Sequence, residues 1–163
     1  MNIKLRTLNI ASFNEYDKRQ IRFVKEIKND PLVTYFVSRQ LEEQLTKSSN
    51  DDDLVINDTY IILDKKNPIG FIRLARLSEL GTLELHYGVK SECRKQGYGT
   101  KILLEVGDYL LANRNAVKKI KLDIKENNIA SIKCAEKAKY YFDRAVSYGY
   151  GEVRVLTYLK ERK

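Results

Sequence analysis

A short basic segment with two glycines contains residues whose types and spacing could do chemistry. Arg94, Lys95 and Lys101 carry positive charge around Gly97 and Gly99, and apolar residues recur at helical spacing after Gly99. The glycines therefore stand at the start of a predicted helix, where unpaired N–H groups and the positive end of the helix dipole bind anions. Glycine also lets a ligand come close to the main chain. The segment predicts a site for a phosphate or a pyrophosphate.

Residues 94–99 have the form R-x-x-G-x-G after a predicted strand. The dinucleotide-binding fingerprint G-x-G-x-x-G needs a third glycine, which does not follow Gly99. A P-loop needs Gly-Lys-Ser/Thr, whereas Thr100 precedes Lys101 here. The remaining alternative is an ordinary glycine turn that starts a helix with solvated lysines. The elements predicted around the segment favour the anion site over the ordinary glycine turn.

The chain predicts the order strand, helices, three antiparallel strands, helix, strand, helix and two strands. Ser12 and Glu15 have the form of a capping box for a first helix over 13–28. Two shorter helical pieces follow, the second over 38–47, and then a polar loop over 46–53. The strand, helix and strand around the glycines predict a parallel crossover in a mixed sheet. The predicted strands are 2–7, 54–63, 68–77, 82–89, 118–124, 140–146 and 152–159. The later predicted helices are 98–113 and 129–138.

Length and composition indicate one globular domain over residues 1–163. Hydrophobic residues make up 43% and charged residues 32% of the chain, which is typical of a soluble protein. The apolar runs are too short to span a bilayer, and the N-terminal residues lack the apolar core of a signal peptide. Two cysteines are too few to staple a domain of this size. We therefore expect a cytoplasmic protein without a membrane partner.

The formal net charge of +8 favours anionic ligands. The lysines are spread along the chain rather than gathered in one block, so the charge does not establish nucleic-acid binding. A small anionic cofactor would explain the charge around Arg94 without a polymer. The spacing of histidine, cysteine and carboxylate residues predicts no metal site.

Two segments resemble signatures of the GNAT superfamily of N-acyltransferases. Residues 94–99 resemble its acyl-CoA signature, and residues 128–137, N-x-A-S-x-x-x-A-E-K, resemble a further segment in the form found in Rim-type enzymes, the ribosomal-protein N-terminal acetyltransferases and their relatives. The predicted order of elements is also that of the GNAT fold, so the resemblance covers nearly the whole chain. It implies an α/β fold with a central, mostly antiparallel twisted sheet of about seven strands, about four helices and one parallel crossover at the cofactor loop.

The implied activity is transfer of an acetyl group from acetyl-CoA, a cosubstrate, to a primary amine of a small molecule, a peptide N-terminus or a protein. The amine would attack directly in a ternary complex. The backbone N–H of Val89 would donate a hydrogen bond to the thioester carbonyl or to the pantetheine arm. Asn128 would bind the pantetheine arm or a strand-end carbonyl. The residues implied to hold the diphosphate are Arg94, Lys95, Gln96, Gly97, Tyr98, Gly99 and Thr100.

Candidate acid and base residues follow from the same resemblance. Glu84 and His86 lie on one face of the fourth strand, and a glutamate there often deprotonates the amine in GNAT enzymes. The structural alternatives are a salt-bridged Glu84 and a His86 that covers an edge. Many relatives have a thiolate-protonating tyrosine where this chain has Ala135. Ser131 is the substitute that the Rim-type resemblance implies, while its structural alternative is a hydroxyl that bonds the helix backbone.

The segment after the second motif departs from the family. Relatives usually have Gly-Phe there, whereas this chain has Lys139-Tyr140, which puts the turn between helix and strand in doubt. Tyr140 or Tyr141 could supply a phenol. These departures motivate an alternative function, a catalytically weak or inactive CoA-binding regulatory module. The charge motivates a less favoured one, a nucleic-acid binder. The sequence does not identify the acceptor amine, and a homodimer is possible.

Overall fold

The computed structural model describes residues 2–12, 54–56, 58–148 and 153–163. The helices predicted over 13–28 and 38–47, the helical piece between them and the loop over 46–53 lie outside these residues. The description below concerns the described ranges only.

The described residues form one mixed sheet of eight strands and two α-helices. The bounds are β1 (Asn2–Lys4), β2 (Leu8–Ser12), β3 (Thr59–Asp64), β4 (Asn67–Leu77), β5 (Thr82–Val89), α1 (Tyr98–Asn113), β6 (Lys119–Lys125), α2 (Ile129–Lys137), β7 (Tyr141–Tyr148) and β8 (Val153–Glu161). The strand order is β1-β2-β3-β4-β5-β6-β8-β7. All neighbours pair antiparallel except β5 and β6. The predicted mixed sheet and its single parallel crossover are confirmed.

The strand predicted over 2–7 ends at Lys4, and a further strand, β2, follows over Leu8–Ser12 where none was predicted, which raises the count from about seven to eight. The chain reverses after Lys4, and Ile3 then pairs with Ile10. The reversal is stabilised by Glu105 of α1, whose carboxylate accepts hydrogen bonds from the N–H groups of Thr7 and Leu8 at 2.6 and 3.1 Å. A partner almost a hundred residues away leaves no local signal in the sequence. The strand predicted over 54–63 begins later than predicted, at Thr59.

The crossover helix α1 packs one apolar face on the sheet. Ile102, Leu103, Val106 and Leu110 are buried in the main core, as their helical spacing predicts. The chain then enters β6, whose alternating apolar residues are also buried. This packing fixes the start of α1 beside the end of β5, so the glycine segment lies at the edge of the sheet.

β5 and β6 separate soon after they meet. They pair only at three positions, the last of which joins Glu84 to Lys121. Beyond this point β5 stays paired with β4 up to Val89, and β6 stays paired with β8 up to Lys125. The two strands therefore diverge, and we call the gap between residues 85–89 and 122–125 the fork. Its apex is the Glu84–Lys121 pair, and its mouth opens toward the start of α1.

The turn after α2 keeps a left-handed backbone although it lacks glycine. Lys139 has φ of 69°, and its N–H bonds to the carbonyl of Glu136 while the N–H of Tyr140 bonds to that of Ala135. These two bonds form a Schellman motif, which usually places glycine at the left-handed position. The departure from the family therefore does not disrupt the turn, and Tyr140 enters the core behind it.

Candidate active site

A cleft of about 580 Å³ occupies the fork. This volume is within the range of small-molecule sites. The cleft is lined by the end of β5, the glycine segment, the first turn of α1, the start of α2 and the inner side of β6. Of the sequence-predicted site residues, the structure brings those that line the cleft into one place: His86, Val89, Arg94, Lys95, Gly97, Tyr98, Gly99, Thr100, Asn128 and Ser131.

The glycine segment presents an open helix terminus to the cleft. Gly97, the N-cap of α1, has φ of 82°, and no side chain in the described residues caps it. The first helical hydrogen bond of this turn joins the N–H of Lys101 to the carbonyl of Gly97, so the N–H groups of residues 98–100 are the orphan donors of the terminus. A Cβ added at Gly97 would have no heavy atom within 4 Å. We call this open terminus, residues 97–100, the phosphate cradle.

The basic residues around the phosphate cradle have distinct positions. Arg94 donates from Nε to the carbonyl of Val89 at 3.2 Å and so ties the loop to the end of β5. Lys95 is left-handed, with φ of 59°. The ammonium group of Lys101 lies 5.9 Å from the centre of the Tyr98 ring. Together the three cations complement the helix terminus for an anion.

Gln96 and Gly99 make contacts within the protein rather than leaving open space for a ligand. The side chain of Gln96 is exposed and donates to the carbonyl of Glu92 at 3.2 Å, away from the cleft lining. Gly99 is buried in α1, where an added Cβ would lie 2.9 Å from the Sγ of Cys134 in α2. Gly99 therefore permits the contact between α1 and α2, whereas Gly97 supplies the open approach.

The end of β5 offers backbone donors to the fork. The N–H of Lys90 donates to the carbonyl of Ile69 on the β4 side at 2.8 Å. Hydrogen-bonding direction alternates along an antiparallel strand, so Val89 directs its N–H and carbonyl to the opposite side. The bond from Arg94 to the Val89 carbonyl agrees with this direction. The hydrogen-bond pattern between β4 and β5 therefore directs the N–H of Val89 into the fork.

The start of α2 carries the predicted residues Asn128 and Ser131. Asn128 is largely buried and is the N-cap of α2, since its Oδ1 accepts the N–H of Ser131 at 3.2 Å. The hydroxyl of Ser131 makes a different contact and accepts the phenol O–H of Tyr87 at 3.1 Å. Sequence reasoning missed Tyr87. The available signal was its place in β5, two and four residues after the buried Leu85 and Leu83, which puts it on the side covered by the helices.

Glu84 and His86 lie on the same side of β5, as predicted, and touch each other. Oε1 of Glu84 lies 3.0 Å from Nε2 of His86, and its Oε2 lies 3.6 Å from Lys121 and 3.7 Å from Arg76. Lys121 also pairs with Asp123 at 3.3 Å. We call Glu84, His86, Lys121 and Asp123 the apex cluster.

These neighbours determine the protonation of Glu84. The hydrogen bond from His86, followed by the charges of Lys121, His86 and Arg76, lowers the pKa of the Glu84 carboxyl to about 2 against the opposing effect of burial. Glu84 is thus a carboxylate at neutral pH and can only accept the hydrogen bond, so the proton of this bond resides on Nε2 of His86. Glu84 itself does not line the cleft, whereas His86 and Asp123 do.

The two tyrosines considered as phenol donors lie elsewhere. Tyr140 is buried, and its hydroxyl donates to the carbonyl of Leu103 at 3.1 Å. Tyr141 is exposed on β7 and donates to Glu161 at 2.8 Å. Neither residue lines the cleft, because the turn at residue 139 directs one into the core and the other to the outer strand. These positions do not support a role for either phenol in the reaction.

Two general properties can be stated for the described residues. No group of three or more histidine, cysteine or acidic side chains lies close enough together there to hold a metal ion. Within the same ranges, no helix has the length and hydrophobicity that crossing a membrane requires.

Three solved structures that superpose on this chain are acetyltransferases. A GNAT-family acetyltransferase from Bacillus anthracis superposes with a TM-score of 0.76 at 14% identity, covering 99% of each chain. Spermidine N-acetyltransferase from Vibrio cholerae, solved with CoA and spermine, gives 0.75 at 16% identity, covering 96% of each chain. RimL, a ribosomal L7/L12 α-N-protein acetyltransferase solved with coenzyme A, gives 0.68 at 14% identity over 99% of this chain and 98% of RimL. At these identities the likeness establishes the fold.

The sequence match is made at the level of the family. No curated protein matches the sequence. The model of the acetyltransferase (GNAT) family matches residues 21–140, which include β5, the glycine segment, α1 and α2. Because this match spans well over half of the sequence and includes the cleft-forming elements, the chain belongs to the GNAT family of acetyltransferases.

Proposed function

We propose that the protein transfers an acetyl group from acetyl-CoA to a primary amine by direct attack in a ternary complex. The observation that carries the proposal is the phosphate cradle, an uncapped helix terminus at the mouth of a fork between two strands. Its N–H groups, together with Arg94, Lys95 and Lys101, suit the diphosphate of coenzyme A. The open space at Gly97 lets that diphosphate reach the main chain.

The fork suits the rest of the cosubstrate. The pantetheine arm contains two amide groups, and the exposed edge of β5 offers the N–H of Val89 in the manner of strand addition. The cleft continues from Val89 past Ser131 toward His86. When bound, acetyl-CoA supplies an activated acetyl group on a thiol leaving group. The protein holds the acetyl group between the start of α2 and the apex cluster.

The apex cluster suits an amine acceptor. A carboxylate with a pKa of about 2 is too weak a base to take a proton from an ammonium group at neutral pH. Glu84 therefore holds the Nε2–H of His86 and offsets positive charge, and the proton of the ammonium group passes to water in the cleft as the amine attacks. Asp123 adds a carboxylate to the cleft lining and favours a cationic acceptor.

The test is an acetyl-transfer assay with a panel of amines. The structurally similar proteins suggest its members: spermine, an aminoglycoside and a peptide with a free N-terminus. We expect release of one CoA thiol per acetylated amine for at least one class. If the protein binds acetyl-CoA but acetylates none of these amines, the result favours the alternative, a CoA-binding regulatory module, and contradicts the proposed activity.

A further inference from the structure

A phenol from the central strand reaches the hydroxyl at the start of α2. Tyr87 of β5 donates its O–H to the Oγ of Ser131 at 3.1 Å, and both residues line the cleft. They are 44 positions apart, so only the fold brings them together. The contact lies between the phosphate cradle and the apex cluster, where a thioester held in the fork would be cleaved.

The packing around Tyr87 fixes its ring. A Cβ at Gly99 would lie 3.6 Å from Cε2 of Tyr87 and 2.9 Å from the Sγ of Cys134, so the ring lies where α1 and α2 approach each other. Burial is the largest cause that raises the pKa of the Tyr87 phenol. The phenol therefore keeps its proton at neutral pH and remains a hydrogen-bond donor to Ser131.

The hydroxyl of Ser131 is a donor as well as an acceptor. One of its acceptor positions is used by Tyr87, while its own hydrogen can be donated elsewhere. The backbone N–H of Ser131 is bonded to Asn128, which fixes the residue in the first turn of α2. With Oγ held on one side by Tyr87 and the residue lining the cleft, the remaining hydrogen can be directed into the cleft.

We infer that Tyr87 is a positioning residue for the departing thiolate and acts through Ser131. This inference rests on the proposed acetyl transfer. The amine nitrogen forms a bond to the acetyl carbon, the carbon–sulfur bond breaks, and its electron pair remains on sulfur. The amine proton passes to water. The sulfur receives a hydrogen bond from Ser131, whose donor direction Tyr87 fixes. The pair thus replaces the phenol that many relatives place where this chain has the buried Ala135.

The experiment compares Tyr87→Phe with Tyr140→Phe. Each variant removes one phenol oxygen that donates a hydrogen bond, to Ser131 in the first case and to the carbonyl of Leu103 in the second. The measurement is the single-turnover rate of acetyl transfer to the best amine of the panel, with acetyl-CoA affinity measured by titration. We expect Tyr87→Phe to lower this rate about tenfold with unchanged affinity, and Tyr140→Phe to leave both unchanged.

A double-mutant cycle with Ser131→Ala separates positioning from general packing. If Tyr87 acts through Ser131, Tyr87→Phe should have little further effect in the Ser131→Ala background. Fully additive effects, or a wild-type rate for Tyr87→Phe, would overturn the inference while leaving the acetyltransferase activity intact. A wild-type protein that acetylates no amine would overturn both proposals.

Discussion

The mouth and the apex of the fork bind their proposed ligands with different parts of the protein. At the mouth, the phosphate cradle uses main-chain N–H groups at the start of α1, with the cations of Arg94, Lys95 and Lys101 around them. At the apex, the cluster uses side chains that lie on β5 and β6 and that pair with each other. A backbone site suits a ligand common to a whole family, whereas a side-chain site can change with the acceptor.

The difference also determines how each site responds to substitution. The cradle depends on one backbone conformation and on open space at Gly97. The apex cluster depends on charge balance, since Glu84 is surrounded by Lys121, Arg76 and His86. Variants that alter charge without altering shape should therefore separate the two ends of the cleft.

The largest effect is expected from Gly97→Asp. Aspartate tolerates a left-handed backbone better than most residues and is favourable at a helix N-terminus, so we expect the protein to fold. Its carboxylate would occupy the orphan donors and repel the diphosphate, and acetyl-CoA affinity measured by titration should fall about a hundredfold or more.

Gly97→Asn is the matched control, because it has the same shape without the charge. We expect it to bind acetyl-CoA within about tenfold of the wild type. Equal losses for the two variants would indicate that the site excludes bulk rather than recognising an anion. No loss in either variant would place the diphosphate elsewhere.

The next effect is expected at the apex. Glu84→Gln keeps the shape of the side chain but removes the charge that orients His86. Turnover should fall roughly tenfold to a hundredfold, while acetyl-CoA affinity stays unchanged. Arg76→Gln is the control, since this exposed arginine lies 3.7 Å from the same carboxylate and should change turnover by less than about threefold. An unchanged rate for Glu84→Gln at saturating amine would exclude Glu84 from the mechanism.

Glu84→Gln should also change how the free energy of unfolding depends on pH. The pKa of the Glu84 carboxyl is lowered from 4.5 to about 2 in the folded protein, so its stabilising effect is present above pH 4.5 and is lost as the pH falls toward 2. Glu84→Gln should therefore be less stable than the wild type in urea unfolding at pH 7. The difference should shrink as the pH is lowered below 4.5, and a constant difference would contradict the ion-pair account.

The smallest effect is expected at Lys139, where a residue other than glycine has a left-handed backbone. Lys139 is left-handed, a conformation that costs most residues roughly 1 kcal/mol. Lys139→Gly should raise the free energy of unfolding by up to about 1 kcal/mol. Lys133→Gly, in the middle of α2, should lower it by a similar amount because glycine disfavours helix interiors. Destabilisation by both substitutions would show that the turn gains nothing from glycine.

Local patterns predicted the fold near the cradle well. The bounds of β5 and α1 were predicted from alternation and helical spacing, and the start of α1 from its glycines, of which Gly97 is left-handed. The same spacing rule put Glu84 and His86 on one side of β5. These features depend on residues that are neighbours in the sequence, so the sequence carries them directly.

Features made by distant residues could not be predicted. The contact of Tyr87 with Ser131 joins two elements 44 positions apart, and the charges that lower the pKa of Glu84 come partly from β4 and β6. Glu105 stabilises the reversal between β1 and β2 from a position 97 residues along the chain from Leu8. The turn at Lys139 was in doubt because a lysine gives no signal for a left-handed backbone.

The most direct test of the account is a calorimetric titration of the wild-type protein with acetyl-CoA and with acetyl-pantetheine, which lacks the diphosphate. We predict one acetyl-CoA site per chain with a Kd in the range of about 1–100 μM that weakens as salt is added. Acetyl-pantetheine should bind at least about a hundredfold more weakly. Equal affinity for the two ligands, or no binding of acetyl-CoA at about 1 mM, would contradict a diphosphate site at residues 97–100.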